Sequence, residues 1–235
     1  MKSSVLLATT LVAFAGIASA APLCTGIGST MADYLALGSG GCTIGDKLFS
    51  NFTFNVTFFG TGADVPAADV SLAPVGAGTS NPGILFSSNA VLLPGANPSV
   101  LSYVDLGIGF TVSTVDGRNL IEDATLTLSS FAVSGTGRAN IGETVTPGSD
   151  PAFLLAVDSS GPFVDHTLFT PTNTVSVLKD VIVSVLPSET VGSGTAQIFS
   201  FQENFSQIPE PIGSVLIGSG LLALGIWRRR VSRRG

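Results

Sequence analysis

Residues 52–58 read Phe-Thr-Phe-Asn-Val-Thr-Phe, with a large apolar side chain at every second position and Thr or Asn between. A period of two is typical of a β-strand that buries one face in a core and turns the other to solvent. The alternation recurs over residues 106–112, 175–185 and 197–205, and residues 125–129 add a shorter segment. The chain is therefore predicted to be rich in strands.

Charged residues stand within two of these segments. Lys179 interrupts a series of valines in residues 175–185. In the last segment, alternation predicts that one face carries Gln197, Phe199, Phe201, Glu203 and Phe205. The phenylalanines upstream of the C-terminal tail are interpreted as core residues, because they alternate with polar ones.

Turn-forming sequences separate the strand segments. They are Asn81-Pro82-Gly83, Pro94-Gly95, Asp116-Gly117 and Pro147-Gly148, and strands at a spacing of roughly 8–12 residues are typical of a sandwich. We predict an all-β fold: an antiparallel β-sandwich of about eight to ten strands, jelly-roll or immunoglobulin-like. Residues 60–83, rich in Gly, Ala and Pro, are predicted to form a long surface loop or irregular edge, and Met31–Leu37 a short helix.

The N-terminus has the three parts of a secretory signal peptide. Lys2 is followed by the apolar residues 5–17, and Ala18-Ser19-Ala20 is a small-residue cleavage site that predicts a mature start at Ala21. Cys24 and Cys42 follow closely. Disulfides persist in exported proteins, and two cysteines with one distant histidine do not make a zinc site, so we predict a disulfide rather than a metal site.

The C-terminus combines three unlike features in order: Pro209-Glu210-Pro211, the 16 uncharged residues 212–227, and the cluster Arg228, Arg229, Arg230, Arg233 and Arg234. As a helix, residues 212–227 reach ~24 Å, slightly less than a ~30 Å hydrocarbon core, and arginine stems extend that reach. A cationic end stays cytoplasmic, so residues 21–207 are expected outside the inner membrane. The alternative is a buried core helix.

This tail resembles the sorting domain of PEP-CTERM proteins of Gram-negative bacteria. The resemblance covers about the last 27 residues, and residues 34–52 also resemble the opening segment of many such proteins. It implies Pro209, Glu210 and Pro211 as the motif recognised by an exosortase-type processing enzyme, after export by the Sec machinery. It also implies cleavage of the tail and an association with exopolysaccharide and biofilm. The domains are then 1–20 signal peptide, 21–207 exported body and 208–235 sorting tail.

The region between the two termini is strongly acidic. Residues 21–211 contain all 16 acidic residues and four basic ones, a formal charge of −12. Such a surface repels phosphate backbones and disfavours binding of nucleic acid, whereas divalent cations could be held loosely between carboxylates.

Catalytic patterns are weak. His166 is the only histidine, and a hydrolase would pair it with Asp165 or Asp158, but no G-x-S-x-G elbow presents a serine. Glycoside hydrolysis would need a carboxylate pair, and solvated surface acids explain the available ones better. These are Glu122, Asp123, Glu143, Asp150 and Asp158. No catalytic residue and no cofactor are predicted, and the chain is not expected to be an enzyme.

Two binding features remain weak. A turn carries oxygen-rich side chains without the spacing of a calcium loop, and an ordinary polar hairpin is the better interpretation. These side chains are Asp116, Asn119, Glu122 and Asp123. Asn51, Asn55 and Asn204 begin acceptor sequons, which chance alone would supply, and Asn51 and Asn55 are predicted on the polar face of one strand.

The sequence thus predicts an exported cell-surface or extracellular-matrix protein of unknown ligand. Two alternatives stay open: a secreted carbohydrate- or calcium-binding β-sandwich module and, less strongly supported, a hydrolase.

Overall fold

A computed structural model describes residues 20–89, 92–93, 100–115, 117, 119–187 and 194–208. Twelve β-strands form within these residues: β1 Cys42–Ile44, β2 Lys47–Phe59, β3 Ser71–Val75, β4 Gly83–Ser87, β5 Leu92–Leu93, β6 Ser102–Thr114, β7 Ile121–Ser134, β8 Gly137–Pro147, β9 Phe153–Asp158, β10 Val164–Thr172, β11 Thr174–Val185 and β12 Thr195–Asn204.

The strands form two antiparallel sheets, and the predicted all-β sandwich is confirmed. The first sheet has the order β1-β2-β6-β11-β8-β9, and the second has the order β10-β7-β12-β4-β3, with β5 also paired to β12. The alternating segments of the sequence lie in β2, β6, β7, β11 and β12. The prediction of eight to ten strands is too low for the described residues, because short strands of two to five residues escape a periodicity test.

Residues 60–83 differ in part from their prediction. A short 3-10 turn at Ala67–Asp69 leads into β3, which pairs along its length with β4. Val65, Val70 and Leu72 are buried, so these residues cover the core rather than only the surface. Pro74 concealed the strand in the sequence, but a proline is tolerated in β3 because this strand lies at the edge of the second sheet.

The core between the sheets contains a cluster of aromatic rings. Phe110 is central: its ring lies 5.6 Å from that of Phe52, and 6.2 Å from those of Phe49, Phe86 and Phe205. The interpretation of all body phenylalanines as core residues is nevertheless wrong. Three of them are exposed, with about half of the side-chain surface free, and they are Phe58, Phe59 and Phe163.

Strand β12 changes face part-way along its length. Its pairing with β7 shifts in register between Ile198 and Phe201, as in a β-bulge. Ala196 and Ile198 are buried before the shift, and Phe201 is buried after it. The prediction that Gln197 and Phe199 share a face with Phe201 is therefore wrong, because the inserted residue inverts the alternation.

The predicted disulfide is confirmed. Cys24 and Cys42 are bonded, with their Cα atoms 4.9 Å apart, and both are buried. The backbone N–H of Thr43 donates to the carbonyl of Pro22 (2.8 Å), so the chain is tied to β1 just after the predicted mature start.

The predicted short helix forms as α1, Met31–Leu35, and ends two residues earlier than expected. Thr30 and Asp33 form a reciprocal capping box at its start, which satisfies backbone N–H groups of the first turn. Met31 and Tyr34 lie on its buried face, and burial raises the pKa of Tyr34 to about 12.

Candidate functional site

An open cleft of about 520 Å³ lies where β3 and β4 of the second sheet approach β12. Its walls combine polar side chains with one aromatic ring. The lining residues are Ala68, Asp69, Ser71, Ser87, Ser88, Asn89 and Phe199.

Strand pairing builds the polar wall of this cleft. Ser87 of β4 is paired with Ser71 of β3, and both side chains line the cleft. The two serines share a face because residues paired across neighbouring strands point to the same side of a sheet. At the rim, the Ser88 hydroxyl donates to the carbonyl of Asp69 (2.9 Å) and fixes the turn before β3 against β4.

The aromatic wall is a consequence of the bulge in β12. Phe199 lies at the register shift, out of phase with the buried Phe201, and lines the cleft. Hydroxyl, amide and carboxylate groups beside a flat apolar ring can hydrogen-bond and stack on a small polyhydroxylated ligand. Alternation alone placed Phe199 in the core, so the sequence did not predict this cleft.

A second polar cluster lies inside the sandwich. Lys179 of β11 and Glu143 of β8 are direct partners in the first sheet, and both point into the core. Glu203 of β12 approaches from the second sheet. Lys179 Nζ donates to Glu203 Oε2 at 2.7 Å and contacts Glu143 Oε2, and it lies 5.8 Å from the centre of the Phe110 ring.

Burial controls the protonation of this cluster. The three side chains are fully buried, and burial lowers the pKa of Lys179. Burial raises the pKa of Glu203 to about 7, although the positive charge of Lys179 opposes that rise. Both oxygens of Glu143 and Oε1 of Glu203 lack a hydrogen bond among the described residues. A buried, ionised carboxylate without hydrogen bonds is unfavourable in free energy. Burial therefore shifts Lys179 and Glu203 toward their uncharged forms.

The predicted role of Glu143 as a solvated surface acid is therefore wrong. Lys179 does not interrupt its strand face either, because it occupies an inward position between Val177 and Val181. The alternation within a single strand does not show that Lys179, Glu143 and Glu203 are in contact, because the three residues lie on different strands.

A third cluster fixes the end of the described chain. The buried Lys47 donates to Asp46 Oδ2 (2.8 Å), to the carbonyl of Asn119 (2.9 Å) and to the side-chain oxygen of Gln207. The backbone N–H of Ile208 donates to the carbonyl of Leu120 (3.1 Å). The last described residues are thus part of the body.

The predicted hydrolase residues do not form a hydrogen-bonded triad within the described residues, although the backbone N–H of His166 donates to Asp165 Oδ1 (2.9 Å). Asp165 accepts a hydrogen bond from the backbone N–H of Ala156 (2.8 Å), and Asp158 accepts from that of Ser160 (2.6 Å). His166 is exposed on β10, and no hydrogen bond joins its ring to either carboxylate within the described residues. The two acids serve local turns and strand ends.

Two residues of the weak calcium cluster, Asn119 and Asp123, have separate hydrogen-bond partners. Asn119 donates to Asp46, whereas Asp123 accepts from the backbone N–H of Ser206; Asp116 lies outside the described residues. No group of three metal-ligating side chains occurs in the part of the chain that the structure describes. Asn51 and Asn55 are exposed as predicted, while Asn204 is buried and bonded to the carbonyl of Asn81.

The predicted targeting segments lie almost wholly outside the described residues. These are residues 1–19 with Ala18, and residues 209–235 with the Pro-Glu-Pro motif, the apolar span 212–227 and the arginine cluster. Ala20 and Ala21 are described, and Ala20 is exposed. Within the described ranges, no helix has the length and apolar character needed to cross a membrane.

No protein-family model matches the chain, and no curated protein matches it. Among solved structures, the chain is similar to TmCBM61 in complex with beta-1,4-galactotriose, with a TM-score of 0.29 and 10% identity over 67% of this chain and 88% of that one. It is also similar to the enzymatically active domain of tailspike protein 4 of bacteriophage CBA120, with a TM-score of 0.20 and 13% identity. That match covers 74% of this chain and 21% of the tailspike chain.

Proposed function

We propose that this chain is an exported β-sandwich protein of a Gram-negative cell surface or extracellular matrix, sorted through its C-terminal tail. The signal peptide directs it to the Sec machinery, and the segment 212–227 holds it at the inner membrane with the body outside the cytoplasm. An exosortase-type enzyme then recognises Pro209–Pro211 and removes the tail, and the body joins the exopolysaccharide. The proposal includes no enzymatic activity and no cofactor.

The observation that carries this proposal is the Cys24–Cys42 disulfide. Structural disulfides persist in oxidising compartments and are rare in the cytosol. Bonding to β1 begins at Pro22, after the predicted cleavage between Ala20 and Ala21. Removal of residues 1–20 therefore leaves intact the contacts that hold the N-terminal segment.

The bonded C-terminal end of the body restricts how the tail can be processed. Ser206, Gln207 and Ile208 are hydrogen-bonded to the body, so these residues do not form a free tether. Pro209 follows directly. We infer that the sorting motif reaches its enzyme only when the sandwich lies against the membrane.

Replacement of Glu210 by alanine is expected to block processing of the tail. Under the sorting proposal, the enzyme needs the carboxylate of Pro209-Glu210-Pro211, so the variant should accumulate in the membrane fraction as the longer form. Immunoblots of membrane and culture-medium fractions measure this, with Glu189→Ala as the matched acidic control. Unchanged processing of Glu210→Ala would contradict the proposal.

We propose, as a second function, that the body binds a carbohydrate in its polar cleft. The specific support is that Ser71 and Ser87 line the cleft together with Phe199, a chemistry suited to sugar hydroxyls and to the apolar face of a sugar ring. Most strand connections cross between the sheets, which favours a jelly-roll-like over an immunoglobulin-like arrangement. Calcium binding and hydrolysis have weaker support, because their predicted residues are engaged separately.

Replacement of Phe199 by alanine is expected to weaken carbohydrate binding by about tenfold or more, since stacking on an aromatic ring contributes roughly 0.5–1.5 kcal/mol beyond the area it buries. Isothermal titration with the exopolysaccharide of the native host measures this. Phe59→Ala is the matched control, because Phe59 is 54% exposed and does not line the cleft. Equal losses in both variants, or none in Phe199→Ala, would contradict a role for the cleft.

A further inference from the structure

We propose that Lys179 and Glu143 become joined by an intramolecular amide bond between Nζ and Cδ, formed inside the folded sandwich with Glu203 as the proton-carrying group. This covalent link would make the body a self-cross-linking domain. The inference concerns the buried cluster alone and does not depend on the sorting proposal or on the cleft.

The fold holds the reacting groups together before any reaction occurs. Lys179 and Glu143 are directly opposed on the neighbouring strands β11 and β8, and both side chains enter the same apolar space. Nζ contacts Glu143 Oε2, yet neither oxygen of Glu143 has a hydrogen bond. Preorganised contact of this kind replaces the encounter of two free molecules and strongly lowers the barrier.

Burial in the apolar core disfavours the charged forms of the amine and of both carboxyl groups. If all three groups were ionised, the core would hold a net charge of −1 beside the Phe110 ring. Oε1 of Glu143 and Oε1 of Glu203 would then be charged oxygens without a hydrogen bond among the described residues. Burial lowers the pKa of Lys179 and raises that of Glu203 to about 7. An uncharged amine is the nucleophilic form of lysine, and a protonated carboxyl is the electrophilic form of glutamate.

The bond-forming step balances without any added reagent. The amine of Lys179 attacks Cδ of the protonated Glu143 carboxyl, and a C–N bond forms. Glu203 accepts a proton from the nitrogen and returns one to the departing oxygen of Glu143. That C–O bond breaks and the oxygen leaves as water, so an amine and a carboxylic acid become an amide and one water molecule, with no change of oxidation state.

Glu203 is placed for this proton transfer. Its Oε2 lies 2.7 Å from Nζ, within hydrogen-bonding distance of the proton that must move. The product removes two buried ionisable groups, and its N–H can donate to Glu203. The amide would also close a covalent ring through residues 143–179, across two adjacent strands of the first sheet.

Peptide mapping of the full chain from expressing cells tests the proposal. The protein is unfolded, reduced and cut by a protease that cleaves before aspartate, which separates residues 123–149 from residues 165–179. We expect these two peptides to appear joined, with a mass lower than their sum by one water molecule. Trypsin should also fail to cut after Lys179. Two linear peptides with unmodified Lys179 would overturn the proposal, as would a bond from Lys179 to Glu203.

The role of Glu203 has its own test. Glu203→Gln is expected to slow amide formation by about a hundredfold, the typical contribution of a general acid–base group, in pulse-labelled protein followed by the same peptide map. Glu122→Gln, a matched change outside the core, should not slow it. Circular dichroism checks that both variants fold; if Glu203→Gln unfolds, the wild-type map alone decides. Equal rates in folded Glu203→Gln and wild type would overturn the assignment of Glu203 as the proton-carrying group.

Discussion

Replacement of Lys179 by methionine should destabilise the protein by about 3–5 kcal/mol near neutral pH, the range typical of a variant that leaves a buried carboxylate without a compensating partner. The variant leaves Glu143 and Glu203 in the core with neither a cation nor a covalent partner. Urea unfolding followed by circular dichroism measures the loss. Against a total stability of roughly 5–15 kcal/mol, such a loss is large.

The pH dependence of the free energy of unfolding of Lys179→Met tests the buried glutamates more specifically than the size of the loss does. In the presence of Lys179, burial already raises the pKa of Glu203 from 4.5 to about 7, and removal of the lysine raises it further. The folded variant therefore binds more protons than the unfolded one above pH 4.5. Its free energy of unfolding should rise as the pH falls from neutral toward 4.5, because protons favour the state that binds them.

A triple variant is the matched control for Lys179→Met. Glu143→Leu and Glu203→Leu, added to the single change, remove the buried carboxylates and fill the space with apolar side chains. Such replacements are often neutral or stabilising, so most of the lost stability should return. A single variant as stable as the wild type, or a triple variant no more stable than the single one, would contradict the burial of Glu143 and Glu203 beside Lys179.

Loss of the disulfide is expected to cost about 3 kcal/mol. The bond closes a loop with a sequence separation of 18, and the chain-entropy model gives roughly this value for a loop of that length. The double change Cys24→Ala and Cys42→Ala removes the bond without placing polar atoms in two buried positions. Urea unfolding of the variant and the wild type measures the cost.

A reducing agent provides the control for the disulfide prediction. Dithiothreitol should lower the stability of the wild type to about that of the double variant and leave the variant unchanged. If the two proteins were equally stable without reductant, or if reductant affected both equally, the disulfide would not stabilise the body.

The sequence predicts most of the fold because its long strands have one clear apolar face. Residues 52–58 and 175–185 show that period, and the structure places them in β2 and β11. The Cys24–Cys42 pairing could also be predicted, because the sequence contains two cysteines and each has only the other as a partner. These features depend on residues that are close in the sequence.

Features that depend on distant pairing could not be predicted in the same way. The bulge in β12 changes the side of the sheet to which Phe199 points. The alternation of apolar and polar residues does not reveal such an inserted residue. The cluster of Lys179, Glu143 and Glu203 joins three strands. A signal did exist, because each charged residue occupies an apolar face of its own strand, but only the strand order identifies them as partners.

The intact mass of the mature protein from its native host tests the central claim, export followed by C-terminal sorting. We expect a chain that begins at Ala21 and ends upstream of Arg228, with two hydrogens lost in the Cys24–Cys42 bond and one water molecule lost in the proposed Lys179–Glu143 amide. A cytosolic protein that retains Met1 and Gly235 and carries two free thiols would contradict the account.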